Sequence, residues 1–459
     1  MAVRPIVVVS NRGPTTFVDG PDGPTPGPPA GGLARGLRPL VEESGGTWVA
    51  CAVSPGDRAA VALERPDPDL DLRLIAIDQG VYSAAYDTVA NGTLWFLHHG
   101  LWDLPRRPRF DHTWVTAWRA YREYNSALAA EVAASAPDGA VVLVQDYHLA
   151  LLPVAGHQPL AEQRPDLALI HFSHTPWCGP EWLSTLPTET AREYLQGMAT
   201  FSACGFHTDR WRRRFEQCCD ELGVAPPTTF ASPLPPDGSG ISAVASSPDC
   251  EQRLAELNER LGDERLIVMS GRLELSKNIQ RGLFAFEELL VRRPDLRGEV
   301  TLGAFVYPSR EGIIDYQSYR QECEGTAARI NARFGSAEWR PVLFDTEDDL
   351  ARSVAGLRRA DVLLINPVRD GLNLVAFEGP LVNERSASLV ISAEAGAASF
   401  LGDAATVINP FDIDETAVAL ASALDRSVEQ RATDASTLRE IASARAIDEW
   451  LADQLTALG

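Results

Sequence analysis

A chain of 459 residues is too long for one ordinary core and suits two domains, and 45% apolar residues exclude wholesale disorder. The formal net charge of −22 leaves nothing basic to neutralise a nucleic-acid backbone or an anionic membrane, and seven cysteines without CxxC spacing suggest neither a disulfide framework nor a zinc site. No apolar run has the length of a membrane span and Met1-Ala-Val-Arg-Pro leads straight into a strand, so a soluble cytoplasmic protein with reduced, mostly buried thiols is expected.

Pro5-Ile-Val-Val-Val-Ser10 has the pattern of a buried parallel strand, with Asn11-Arg12-Gly13 at its end. Residues 13–30 are dense in Gly and Pro and predict a long, mobile loop, a surface excursion in the first instance and a lid over a phosphate in the alternative; Gly31-Gly32-Leu33 then opens a helix. Gly46-Thr-Trp-Val-Ala50 is a short strand. Residues 75–99 contain Tyr86, and Asn91-Gly-Thr-Leu-Trp-Phe-Leu-His-His99 predicts a turn followed by an aromatic strand carrying Trp95. Such aromatics serve a core or the face of a sugar.

A helix is predicted over 114–133. Val141-Val-Leu-Val-Gln145 is a strand ending in Asp146-Tyr147-His148, and Leu167-Ala-Leu-Ile-His-Phe172 is another, ending in Ser173-His174-Thr175-Pro176-Trp177. Asp146 and His174 thus stand at the carboxyl ends of two neighbouring strands, where open α/β sheets bind ligands.

Ser232-Pro-Leu-Pro-Pro-Asp-Gly-Ser-Gly marks a change of composition and an interdomain linker. The βα rhythm then restarts, with strands at 266–270, 300–305, 342–344, 360–365 and 388–392 and helices at 280–291, 316–334 and 350–357. The expected layout is an N-terminal domain over 1–232, a linker over 233–248, a second domain over 249–430 and a terminal helical segment over 431–459 that packs back across the domains. Two successive α/β blocks of similar size predict two doubly wound, Rossmann-like domains facing across a cleft.

Two stretches of the second block carry chemistry. In Val268-Met-Ser-Gly-Arg-Leu-Glu-Leu-Ser-Lys-Asn278, Lys277 is the only lysine in the chain and follows Arg272 on the loop leaving a strand; the pair suits phosphate oxygens. In Asn366-Pro-Val-Arg-Asp-Gly-Leu-Asn-Leu-Val-Ala-Phe-Glu378, a strand gives way to a turn and then a helical register from about Leu372. The helix start can cradle a diphosphate, with Asn373 and Phe377 on one helix face and Leu374 and Glu378 on another.

Taken in order, these motifs resemble the retaining glycosyltransferases of family 20 with two Rossmann-like domains, the trehalose-6-phosphate synthase family, from Val7-Val-Val-Ser-Asn-Arg12 to Ile408-Asn-Pro-Phe-Asp412. The resemblance implies a GT-B type fold, no metal cofactor, and glucose transfer with retention from a nucleotide diphosphate glucose to glucose 6-phosphate. It places the acceptor phosphate on Arg12 and Arg310, the rest of the acceptor pocket on Tyr86, Trp95 and Asp146, and a donor-sugar contact on His174. Gly32 falls on the loop that closes over the donor, Arg272 and Lys277 on the diphosphate pair, Asp370, Leu372, Asn373 and Leu374 on the donor cradle, and Glu378 on the ribose. Asp146, His174, Arg272 and Lys277 are the catalytic set it implies. A front-face reaction follows from the same likeness, the leaving phosphate oxygen accepting the proton of the acceptor hydroxyl.

Leu-Glu-Leu-Ser-Lys-Asn after Arg272, Ser232-Pro-Leu-Pro-Pro, and the residues after Glu378 depart from the usual pattern. With His171-Phe-Ser-His-Thr-Pro-Trp177 they are similar to the pseudo-glycosyltransferase branch that makes validoxylamine 7′-phosphate from a guanine-linked cyclitol. That likeness, and the acidic loop Phe344-Asp-Thr-Glu-Asp-Asp349 facing the N–H donors of guanine, lead us to expect GDP-glucose in preference to UDP-glucose. The competing expectations are cyclitol coupling from a GDP-cyclitol and a non-catalytic sugar-phosphate sensor. Small-molecule substrates are the expected partners, with no nucleic acid or membrane, leaving room for a homo-oligomer and for a functional link to a trehalose-6-phosphate phosphatase.

Overall fold

The computed structural model of the chain describes residues 4–21, 23–29 and 32–459. Among the described residues fifteen strands run in chain order: β1 (Ile6–Arg12), β2 (Thr15–Val18), β3 (Thr25–Pro29), β4 (Thr47–Cys51), β5 (Asp71–Ile75), β6 (Val141–Gln145), β7 (Ala168–Ser173), β8 (Ala203–Phe206) and β9 (Thr228–Ala231), then β10 (Arg265–Leu273), β11 (Val300–Pro308), β12 (Val342–Asp345), β13 (Val362–Ile365), β14 (Ser388–Ser392) and β15 (Thr406–Ile408). The chain divides into two units, Met1–Leu234 with Ile447–Gly459, and Pro235–Ala446.

The first unit is built on a seven-stranded sheet of order β5-β4-β1-β6-β7-β8-β9, and the second on a six-stranded sheet of order β12-β11-β10-β13-β14-β15. Every pairing within these two sheets is parallel. Parallel strands covered on both faces by crossover helices read as unbroken apolar runs, as Val7 to Val9 and Val141 to Val144 do, all fully buried. In the second unit Ile267, Leu302, Val362 and Val390 of the sheet pack with Leu283, Phe286 and Leu289 of the helix Ile279–Arg292. Each such side chain contributes about 1.5–3 kcal/mol by leaving water. All seven cysteines are free and buried. Among the described residues no helix is long and apolar enough to cross a membrane.

Five local expectations are corrected. The Gly/Pro-rich segment after β1 contains the antiparallel hairpin β2-β3, pairing Val18 with Thr25, in place of a wholly irregular loop. The expected turn and aromatic strand over 91–99 is helical: a π-helical segment Ala84–Leu94 runs into the helix Trp95–His99. The spacing that decides this is Trp95 to His99, four apart, whose rings stack at 3.9 Å on one face. Arg272 belongs to β10, which continues to Leu273 alongside β11 as far as Pro308. The helix expected from about Leu372 begins at Val375, because Asn373 has a left-handed backbone (φ 77°) and does not share a helix face with Phe377. Residues 238–245, inside the segment expected to be a linker, form a helix of the second unit.

Candidate functional site

In each sheet the strand order reverses once, between β1 and β6 and between β10 and β13. Loops leaving the two strands at such a reversal diverge to opposite faces and leave a crevice at the carboxyl edge. Arg12 ends β1, Asp146 follows β6, Arg272 is near the end of β10, and Asp370 follows β13. The sequence-predicted residues therefore gather at two switch points, one in each unit.

In the first unit Arg12 is exposed and lines a cavity of 160 Å³ with Thr15, Ser54 and Asp57. Tyr86 stacks between Tyr82 (5.2 Å, 13°) and His148 (5.6 Å, 15°), while buried Trp95 lies 5.8 Å from the Tyr147 ring. Both expected pocket aromatics thus abut the segment that carries Asp146. Gly32 opens the helix Gly32–Ser44; residues 30 and 31, before it, lie outside the described residues.

Asp146 ties the ends of β6 and β7 together. Its carboxylate accepts the N–H groups of His174 (3.2 Å) and Thr175 (3.3 Å), and its carbonyl is 3.1 Å from Nε2 of fully buried His171. Asp146 does this with a backbone at φ 70°. Only four other non-glycine residues among those described have a positive φ, namely Asn278, Arg310, Asn373 and Ser386. Three of the five are expected site residues, and strain of this kind persists where the surrounding structure enforces it.

The His174 ring is held on both sides. The N–H of Leu234 donates to Nδ1 of His207 (3.3 Å), so the His207 proton is on Nε2, which faces Nδ1 of His174 at 3.3 Å. That leaves the His174 proton on Nε2, donated to Oε1 of Gln145 at 2.9 Å. Burial, with His207 and His171 nearby, pushes His174 well below the ordinary histidine range, so the ring is neutral. Both ring nitrogens are engaged within the protein.

In the second unit the organising group is Glu274, fully buried. Its carboxylate meets Nη1 of Arg272 at 2.9 Å and Nη1 of Arg310 at 3.3 Å, and accepts from Oγ of Ser309 at 2.9 Å. Burial alone would raise this carboxyl, but Arg272, Arg310 and Lys277 outweigh it and hold it down to about 2. Lys277 reaches Asp370 at 2.5 Å, and Asp370 also accepts from Nδ2 of Asn373 at 3.1 Å. Arg310, expected to serve the acceptor, therefore stands in the cationic cluster of Arg272 and Lys277.

The loop with Asp370, Leu372 and Asn373 is clamped by the segment after β14. Gly396 N–H donates to the Asp370 carbonyl (3.1 Å) and Ala397 N–H to that of Leu372 (2.8 Å). A Cβ on Gly396 would lie 2.0 Å from the carbonyl oxygen of Gly371, so only glycine allows this approach. Leu374 caps the helix Val375–Val382, and Glu378 lies in its first turn.

The sequence did not single out Glu274, Gly396, Gln145 or His207. Glu274 left one signal, an acidic residue between Arg272 and Lys277. The acidic loop after β12 is also engaged: Asp345 and Glu347 pair with Arg352, and Asp349 accepts the Arg352 N–H as a helix cap and pairs with Arg253 at 2.9 Å. Asp345, Glu347 and Asp349 are thus held by arginines of the same unit.

The sequence profile of glycosyltransferase family 20 matches residues 5–459. This chain belongs to glycosyltransferase family 20. It is similar to the validamine 7-phosphate valienyltransferase of Streptomyces hygroscopicus subsp. jinggangensis, 31% identical over 95% of this chain and 91% of that one. It is as similar to the trehalose-6-phosphate synthase of Mycolicibacterium paratuberculosis, 31% identical over 98% of this chain and 94% of that one. Among solved structures, an α,α-trehalose-phosphate synthase (UDP-forming) from Burkholderia xenovorans in complex with glucose-6-phosphate superposes with a TM-score of 0.85, at 26% identity and 99% coverage of both chains. The family 20 enzyme described here is a retaining glycosyltransferase with two parallel α/β units of the GT-B class.

Proposed function

We propose that this family 20 enzyme transfers glucose, with retention, from UDP-glucose to glucose 6-phosphate and so makes trehalose 6-phosphate. The observation that carries the reading is the Glu274 cluster, in which one buried carboxylate holds Arg272 and Arg310 and attracts Lys277, beside the Asp370 loop. A diphosphate leaving group gains negative charge as its bond to the sugar breaks. Cations already fixed in place stabilise that charge without reorganising. Arg272, Lys277 and the backbone amides of Leu372, Asn373 and Leu374 take the donor diphosphate, Asp370 and Asn373 border its sugar, Glu378 takes the ribose, and Gly32 belongs to the segment that closes on the donor. Arg12 takes the acceptor phosphate, and Tyr86, Trp95 and Asp146 form the acceptor sugar pocket. The leaving phosphate oxygen accepts the proton of the acceptor hydroxyl in a front-face reaction. His174 acts through its place on Asp146, not through its ring nitrogens.

Uracil replaces guanine in this reading. The acidic loop that argued for guanine is tied to Arg352 and Arg253, and the Burkholderia structure is named as UDP-forming. The test is release of UDP and of GDP on mixing the purified protein with glucose 6-phosphate and each nucleotide-glucose, with the sugar product identified. Trehalose 6-phosphate formed with faster UDP release supports the proposal; faster GDP release restores the guanine expectation. A second reading, transfer of an unsaturated cyclitol to an aminocyclitol phosphate, is favoured by the valienyltransferase relative. It takes first place if neither glucose donor yields product.

A further inference from the structure

A cavity of 380 Å³ lies on the flank of the second sheet, against its edge strand β12. One wall is the helix Pro248–Leu261, where Arg253, Glu256, Leu257 and Arg260 recur at the three- and four-residue spacing of a single helix face. The floor is apolar: Phe305 of β11 and Leu343 of β12 share one sheet face, since Gly303 pairs with Leu343 and Phe305 with Asp345, and Phe344 borders them. Arg340 and Arg352 complete the lining. Four arginines line or border it, and Glu256, Asp349, Asp345 and Glu347 engage two of them, Arg253 and Arg352.

The arginines are not equally engaged. Arg253 pairs with Asp349 and Glu256, and Arg352 with Asp345 and Glu347, although the buried Nε of Arg352 has no hydrogen-bond partner. The guanidinium groups of Arg260 and Arg340 have neither a carboxylate nor a hydrogen-bond partner among the described residues. The two also lie away from the reaction machinery. Arg260 is one residue from the end of the helix that precedes β10, and Arg340 stands two residues before β12, so both are at the amino edge of the parallel sheet. Arg272, Lys277 and Asp370 are at the carboxyl edge, on the order of 25 Å away along strands that rise about 3.3 Å per residue.

We propose that this cavity is a second ligand site that takes a small organic phosphate. Two unpaired guanidinium groups suit the dianion of a phosphate monoester as charge-assisted forks. The apolar surface of Phe305 and Leu343 suits the ring or chain that carries it. The volume is that of a small-molecule site. A negatively charged protein repels anions at long range, so an anion is held only where guanidinium groups such as those of Arg260 and Arg340 are left without a carboxylate. Arg260 and Arg340 play no part in the reading of the reaction given above.

The test is calorimetric titration of the full-length protein with ribose 5-phosphate in saturating UDP and glucose 6-phosphate, which occupy the reaction's own sites. Saturable binding is expected, at least tenfold tighter than that of inorganic phosphate, with none for ribose. The exposed substitutions R260A and R340A together should weaken it at least tenfold without changing the thermal midpoint. Glu256→Gln, which removes a rim carboxylate, should tighten it several-fold. The proposal is overturned by the absence of saturable heat, by equal affinity for inorganic phosphate, by an affinity unmoved in the arginine double variant, or by binding that appears only when UDP and glucose 6-phosphate are omitted.

Discussion

Replacing Glu274 by glutamine tests the arrangement at its centre. The amide nearly preserves shape but removes the charge that holds Arg272 at 2.9 Å and Arg310 at 3.3 Å and attracts Lys277. The carboxyl is lowered from 4.5 to about 2 in spite of complete burial. At about 1.4 kcal/mol per pH unit, that net displacement means the folded surroundings, burial included, favour the charged form by about 3 kcal/mol, and the cations alone by more. Removing one partner of a buried ion pair costs about 3–5 kcal/mol, a range that agrees. With the charge gone, three cations repel one another and the two arginines lose their common anchor. Glu274→Gln should therefore lower the thermal midpoint, raise the donor KM and lower kcat, with kcat/KM down by about 100-fold, equivalent to about 3 kcal/mol. Glu274→Asp keeps the charge and should recover most of the loss. Initial rates over a donor concentration series, measured well below the midpoint, separate catalysis from folding. Wild-type donor KM and kcat in the glutamine variant would falsify the argument that Glu274 positions the cations, even if its stability fell.

Arg310→Ala distinguishes two assignments of that side chain: its contact with Glu274 predicts a raised donor KM, whereas the family resemblance predicts a raised acceptor KM, and rate measurements varying each substrate decide between them. Gly396→Ala would set a Cβ 2.0 Å from the Gly371 carbonyl oxygen, so the Asp370 loop must move; donor kcat/KM should fall more than tenfold while circular dichroism stays native, and unchanged kinetics would refute the clamp. His171 is buried and pushed down to about 4 from 6.5, so the unfolded chain binds the additional proton between these values. The stability it contributes is present above pH 6.5 and lost as pH falls toward 4, amounting to about 2 kcal/mol at pH 5. Denaturation midpoints between pH 7 and 4.5 should therefore fall, and more steeply than in His171→Asn; parallel curves would remove His171 as the cause.

The parallel sheets were legible because buried strands such as Val7 to Val9 are continuous apolar runs, and because Gly, Pro or a polar cluster ends each one. Their order was not, since nothing local in Val141 to Gln145 states that it pairs with β1. Yet that pairing creates the first switch point. The helix over 95–99 was misread because its aromatic residues also fit a short strand, and only the i, i+4 stacking of Trp95 on His99 resolves the period. Arg272, Lys277 and Asp370 were recognisable as a charged set bordering strand ends. Glu274 was not, because a glutamate in a loop is ordinarily solvated, and its burial depends on Ser309 and Arg310 arriving from a strand some 35 residues further along the chain. The acidic loop shows the opposite difficulty: its carboxylates read as available in the sequence, whereas Arg352 and Arg253 engage Asp345, Glu347 and Asp349.

Residues Ile447–Gly459 belong to the first unit, and Trp450 of that segment is fully buried with its ring 4.8 Å from Phe172 of β7 and 6.3 Å from His174. In chain terms the second unit is thus an insertion within the first, entered once after Leu234 and left once before Ile447. An exchange of nucleotide-binding halves between relatives would need two splice points, not one. A single cut in the segment after β9 would leave the first unit without the tryptophan that closes the apolar face behind its own ligand edge.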